Sequence, residues 1–86
     1  MTKLKKALGR VLSGTADANI AFADLRNLLL RLEFDERIRG DHHIYTRDDV
    51  QEILNLQPKN SMAKPYQVKQ VRTLILRYRL GASDEE

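Results

Sequence analysis

Phe34-Asp35-Glu36-Arg37-Ile38-Arg39-Gly40-Asp41-His42-His43-Ile44-Tyr45-Thr46 is the stretch whose reading decides the fold. Upstream of it apolar residues recur at the helical period, and within it the period drops to two. Phe34 and Ile38 share one face, and Asp35, Arg37 and Arg39 share the other. Gly40-Asp41 supplies a two-residue turn, so residues 42–46 read as a returning strand. Arg47-Asp48-Asp49 interrupts the pattern. Val50-Gln51-Glu52-Ile53-Leu54-Asn55-Leu56 suits helix or strand by propensity. The alternation around Ile53 and the stop at Gln57-Pro58 favour a third strand.

Working outward from the hairpin, residues 22–33 read as a helix. Phe22, Leu25, Leu28, Leu29 and Leu32 form its apolar stripe, Asp24 suits the positive end of its dipole, and Leu30 lies off the stripe toward the N-terminal helix. Residues 2–13 read as a shorter helix with Thr2 as N-cap and an apolar side of Leu4, Leu8, Val11 and Leu12. Lys3, Lys5, Lys6 and Arg10 take its other side, Gly9 weakens it, and Ser13-Gly14-Thr15 opens a loop reaching Asn19. Downstream, residues 58–64 read as a polar loop. Pro65 suits the first turn of a last helix, with Val68, Val71, Ile75 and Tyr78 as its stripe, Leu74 alongside, and Gly81 as its stop. The order is α-α-β-β-β-α. A three-stranded antiparallel meander with helices on one face buries those stripes most economically, an α+β arrangement. The chain divides into an N-terminal helix and loop (1–19), a main domain (20–81) and an acidic, disordered tail (82–86).

The composition narrows the function classes. A chain of 86 residues, 42% apolar and 31% charged, builds one modest core and buries about 60–65% of its unfolded surface. No apolar run approaches the roughly 18 residues of a membrane span, and no apolar stretch follows the basic N-terminus as a secretory signal requires. The chain has no cysteine, which removes disulfides, thiolate metal sites and cysteine nucleophiles and fits a reducing cytoplasm. Fifteen basic residues face twelve acidic ones, for a net charge of +3. Three of those acids, Asp84, Glu85 and Glu86, belong to the tail. Between Lys59 and Leu80 stand Lys59, Lys64, Lys69, Arg72, Arg77 and Arg79 with no acid among them. Charge of that kind suits a phosphate-rich partner, and it equally suits a solvated helix face.

The chemically capable residues concentrate at Arg39-Gly40-Asp41-His42-His43; there is no P-loop, GxGxxG or HExxH. A metal site is disfavoured, because adjacent strand residues point to opposite faces and no further histidine completes a ligand set. A single catalytic histidine is the alternative. RNA cleavage needs a proton taken from a ribose 2′-OH and one given to the leaving oxygen, and imidazole does either near neutral pH. Arg37, Arg39, Lys64 or Lys69 would then stabilise the charge developing on phosphate. The plainer reading makes one histidine a packed strand residue and the other a solvated one.

These residues carry a resemblance. From Phe22 to Leu80, about two thirds of the chain, the sequence resembles the HicA family of toxin–antitoxin systems. The resemblance rests on Leu28-Leu29-Leu30-Arg31-Leu32-Glu33-Phe34, then Arg37-Ile38-Arg39-Gly40-Asp41-His42-His43-Ile44-Tyr45. Glu52-Ile53-Leu54-Asn55-Leu56-Gln57-Pro58 and Ala63-Lys64-Pro65-Tyr66-Gln67-Val68-Lys69-Gln70-Val71-Arg72 close it. Its specific part is the Gly-x-His step after a strand. The resemblance implies a double-stranded-RNA-binding-like α-β-β-β-α fold with a three-stranded antiparallel sheet, to which residues 2–13 add an extra N-terminal helix. It implies an mRNA interferase, an endoribonuclease neutralised by a cognate HicB-like antitoxin. The missing metal-ligand set, the missing cysteines and the missing apolar run add the expectations of no metal or other cofactor, a cytoplasmic setting and no membrane. His42 aligns with the family's catalytic histidine, Gly40 gives the turn that presents it, and Arg37, Arg39, Lys64, Lys69 and Arg72 are the RNA contacts. The family's usual motif is Gly-Ser-His, and Asp41 stands here in the serine position. Tyr45 and Tyr66 are the only aromatic candidates for base platforms. Rival readings are a non-catalytic RNA-binding module and a structural partner whose basic helix docks an acidic protein.

Overall fold

Residues 3–81 are described by a computed structural model, Lys3 by its backbone alone. The elements are α1 (Lys3–Ser13), a single 3-10 turn (Asp17–Asn19), α2 (Phe22–Arg31), β1 (Asp35–Arg39), β2 (His42–Arg47), β3 (Val50–Leu56) and α3 (Pro65–Tyr78). The strands form an antiparallel meander in the order β1-β2-β3. This is the α+β arrangement read from the sequence, with α1 as the added helix. Thr2 and the acidic tail 82–86 lie outside the described residues.

Register decides which side chains meet the helices. β1 and β2 pair with Glu36 opposite Tyr45 and Ile38 opposite His43; β2 and β3 pair with His43 opposite Leu56 and Tyr45 opposite Leu54. Glu36, Ile38, His43, Tyr45, Leu54 and Leu56 therefore share the helix-facing side. Tyr45 and Leu56 are fully buried there. An irregularity between Tyr45 and Arg47 accommodates the closure of the second hairpin. The other face is left open, with Arg37, Arg39, His42, Ile44, Ile53 and Asn55 directed outward. Ile53, the centre of the alternation in β3, is on this outer side and two-thirds exposed, whereas Val50, Leu54 and Leu56 are buried.

The helical stripes close one core. Phe22, Leu25, Leu28 and Leu29 of α2 join Val68, Val71, Leu74 and Ile75 of α3 above the sheet, while Tyr78 is only partly buried. α1 packs on both helices and inserts Val11 into the same core, with Leu4, Ala7 and Leu8 against it. Leu12 faces outward: positions 4, 7, 8 and 11 complete the i, i+3, i+4, i+7 seam, and Leu12 falls beside it. α2 stops two residues earlier than its stripe suggests, because Glu33 adopts a left-handed φ of 70° and turns the chain into β1.

Two local devices depart from expectation. The loop before α3 is ordered by a tight turn with Asn60 and Ser61 both at positive φ and reciprocal Lys59–Met62 backbone bonds. It then bridges to the start of α2 through Ala63 N–H to the Ile20 carbonyl, 2.9 Å, and Phe22 N–H to the Ser61 carbonyl, 3.0 Å. At the other end, α3 is capped by Arg79 in the left-handed conformation, two residues ahead of Gly81. Gly81 has a different task. Its φ is 82°, and a Cβ there would stand 3.1 Å from Leu8 Cδ2, so the glycine permits α1 to close on the end of α3.

Among the described residues, Gln67 is the one buried side chain that is polar rather than apolar or aromatic. Its Oε1 accepts the Lys64 N–H at 3.2 Å and its Nε2 donates to the Gln57 carbonyl at 3.2 Å, fastening the start of α3 to the end of β3. Replacement by leucine keeps the volume and orphans both backbone groups. Gln67→Leu is expected to lower unfolding free energy by about 1–3 kcal/mol, read as a lower urea midpoint at unchanged slope.

Candidate functional site on the open sheet face

The Gly40-Asp41 turn closes the first hairpin with Arg39 paired to His42. Gly40 has φ 59° and Asp41 is not among the positive-φ residues, the pattern of a type II′ hairpin turn, whose first position glycine fills at least cost. That turn fixes the parity of everything after it. His42 is directed to the open face and is half exposed, and His43 goes beneath the sheet.

Two side-chain bonds tie the turn to β3. His42 Nδ1 lies 3.0 Å from Asn55 Oδ1, and Gln57 Nε2 donates to Asp41 Oδ2 at 2.6 Å. The Gln57 bond holds the Asp41 carboxyl below its usual pKa. Asp41 Oδ1 is 3.9 Å from His42 Nε2, close enough for charge to be felt and too long for a hydrogen bond. Arg39 stands across the strand pair from His42, and Arg37 is two residues away on the same face. Both are exposed. Lys64, at the N-cap of α3, lies near enough to Asp41 for its charge to act on that carboxylate.

Arg37 and Arg39 are thus brought onto one face with His42, Gly40 supplies the turn, and Lys64 is connected to this end of the sheet only through its charge effect on Asp41. Lys69 and Arg72 are placed elsewhere, on the helix layer. Lys69 is close to Asp17 and helps depress its pKa. Arg72 donates bidentately to Asp17, at 2.9 and 3.1 Å, and its Nη1 also reaches the Val11 carbonyl at 3.0 Å. This guanidinium fastens α1 and the 3-10 turn to α3. Arg77, in the same basic run, pairs with Glu52, which also accepts from the Tyr78 hydroxyl at 2.6 Å. Of the two tyrosines read as base platforms, Tyr45 is fully buried and only Tyr66 is exposed.

Beneath the sheet, His43 belongs to a polar cluster centred on Glu36. Arg26 donates to both Glu36 oxygens at 2.8 and 3.0 Å, the Tyr45 hydroxyl donates at 2.7 Å, and His43 Nδ1 donates at 3.2 Å. The His43 ring meets Phe22 edge-on at 4.9 Å and lies parallel to Tyr45 at 6.4 Å. These donors, Arg26 foremost, outweigh desolvation and hold Glu36 at a pKa of about 2, while burial and the Glu36 bond push the Tyr45 phenol up. Asn55, Gln57, Gln67 and Glu36 were not singled out by sequence reasoning. The outward parity of Asn55 was the one available signal, since it shares that face with Ile53.

Among the described residues, no three histidine, aspartate or glutamate side chains gather to hold a metal, and no helix is long and apolar enough to cross a membrane. Compared with known proteins, the chain matches no family model, no curated protein and no solved structure.

The Glu36 cluster makes a pH prediction. A carboxyl whose pKa falls from 4.5 to about 2 on folding stabilises the fold fully above pH 4.5. That contribution disappears as pH falls through the window toward 2. Glu36→Gln is expected to be less stable at neutral pH and to show a flatter loss of stability between those limits, measured by denaturant titration across pH.

Proposed function

We propose that this protein is a HicA-like toxin of a type II toxin–antitoxin system, an endoribonuclease that cleaves mRNA with His42 as its single catalytic histidine. The observation that carries the reading is the His42 imidazole on an uncovered sheet face, anchored at Nδ1 by Asn55, with Arg37 and Arg39 on the same face and Lys64 within charge range of the adjacent Asp41. In the reaction His42 takes the proton of a ribose 2′-OH. The 2′-oxygen forms a bond to phosphorus, the bond from phosphorus to the 5′-oxygen breaks, and that oxygen leaves with a proton from solvent or from the imidazolium. Arg37, Arg39 and Lys64 supply cations for the charge that gathers on the phosphoryl oxygens. The protons are handled by imidazole, and His42 and His43 point to opposite faces where they cannot share an ion, which favours a mechanism without a metal.

With Tyr45 buried in the core, few aromatic side chains are left to stack on bases, so binding rests on phosphate contacts and sequence preference is weak. An acidic HicB-like antitoxin covering Arg37, Arg39 and His42 would inhibit most directly, with its charge setting on-rate and register. The cytoplasm is the proposed compartment, where the message is the substrate. One observation favours a second reading. Asp41, ionised and 3.9 Å from His42 Nε2, stands where a phosphate would approach and repels it. A non-catalytic RNA-binding module of the same fold is the reading that follows if cleavage is absent.

Incubation of a mixed RNA with pure protein tests the proposal. His42→Ala is expected to lose cleavage by about 10²–10⁴ with unchanged circular dichroism. His43→Ala is expected to keep cleavage and lose stability, because its ring packs on Phe22. Chelators are expected to leave wild-type activity intact. Full activity in His42→Ala, or activity lost to a chelator and restored by a divalent ion, would overturn the assignment. Charge reversal at Arg37 and Arg39 is expected to weaken RNA binding for all sequences alike and to flatten its salt dependence. Arg72→Ala, in contrast, is expected to act on stability.

A further inference from the structure

We infer that Asn55 is the positioning residue of this site: it holds His42 in the Nδ1–H tautomer and leaves the Nε2 lone pair facing the open side. The inference rests on the ribonuclease reading for its purpose and on the geometry alone for its substance. Asn55 Oδ1, 3.0 Å from His42 Nδ1, is an acceptor without a proton, so the ring nitrogen must be the donor. A neutral imidazole carries one N–H, and placing it on Nδ1 makes Nε2 the acceptor. That is the form a general base needs before it meets a 2′-OH.

The competing group is Asp41, which would draw an N–H to Nε2 if it could reach it. At 3.9 Å it does not make that bond, and its other oxygen is held at 2.6 Å by Gln57. Asn55 of β3 and Gln57, just past the end of the strand, thus act on the turn together. Asn55 takes the ring at Nδ1, and Gln57 draws the carboxylate away from Nε2. Gln57 is itself anchored through its carbonyl to buried Gln67 of α3. The imidazole is therefore oriented from a paired strand, a firmer base than the hairpin turn alone.

Nitrogen-15 NMR of the free protein above the His42 titration tests this independently of activity. Wild type is expected to show His42 with Nδ1 protonated and Nε2 as the bare nitrogen. Asn55→Ala is expected to shift the ring toward the Nε2–H tautomer that free histidine side chains prefer. Asn55→Asp, which keeps the acceptor, is expected to retain the Nδ1–H form. In cleavage assays Asn55→Ala is expected to lower kcat about 10- to 100-fold with little change in KM. Asn55→Asp is expected to restore a substantial part of kcat. An Nε2–H tautomer in wild type, or an Asn55→Ala protein with unchanged tautomer and kcat, would overturn the inference. A wild-type protein with the Nδ1–H tautomer that cleaves no RNA would support the positioning and refute the ribonuclease reading.

Discussion

The pairing of Arg39 with His42 across a two-residue turn is the constraint from which the site and much of the core follow. Side chains alternate along a strand, so a slip of one residue between β1 and β2 would either turn β2 over and carry Tyr45 out of the core, or turn β1 over and bring Arg37 and Arg39 under the helices. The first outcome would also exchange the surroundings of the two histidines. Gly40 sets this register from the turn, through a φ that other residues adopt at a cost. Glu36 sets it from below, since only the observed parity brings its carboxylate to Arg26, Tyr45 and His43 together. One hairpin thus has its register held from both ends.

Charge in this small protein divides between holding and presenting. Asp17–Arg72 and Glu36–Arg26 are bidentate pairs at partly buried positions, the first joining elements 55 residues apart and the second tying α2 to the strand that follows it. Glu52 joins β3 to the end of α3 through Arg77 and Tyr78. Arg37 and Arg39 are exposed on an uncovered face instead. The excess of positive charge along residues 59–80 therefore gives a poor account of where a polyanion would lie. Two of its arginines are engaged by carboxylates, and the concentration of exposed cations beside a titratable ring comes from β1.

α1 is integral to the core, since Val11 is buried among the residues of α2 and α3 and its carbonyl accepts from Arg72. Gly81 makes the same junction possible from the far end, by letting Leu8 approach the chain leaving α3. The added helix covers the helix layer and leaves the open sheet face untouched. Its role in the structure is to enlarge the core it shares with α2 and α3.

Element order, the meander, the turn at Gly40-Asp41 and the opposite orientations of His42 and His43 were all legible in the sequence. Each depends on local periodicity or on a backbone conformation that one residue type favours. The outward position of Leu12 and the inward partners of Glu36 were not legible. Neither was the turn at Asn60 and Ser61, since Ser61 is an uncommon residue for positive φ, held there by the Lys59–Met62 bonds and by the bond from Phe22 N–H to its carbonyl. Asn55 reads as any polar residue of a half-exposed strand until β3 lies beside β2 and brings its amide to the His42 ring. Arg72 reads as one more basic residue until Asp17, 55 positions earlier, is found against it. The sequence by itself determined the main apolar stripe of α2 and α3 and the opposite facing of neighbouring strand residues, because side-chain direction follows from backbone period. Only the tertiary structure decided which charges are engaged and which are presented, because ion pairs and side-chain hydrogen bonds act over about 3 Å, a distance set by how separate elements pack.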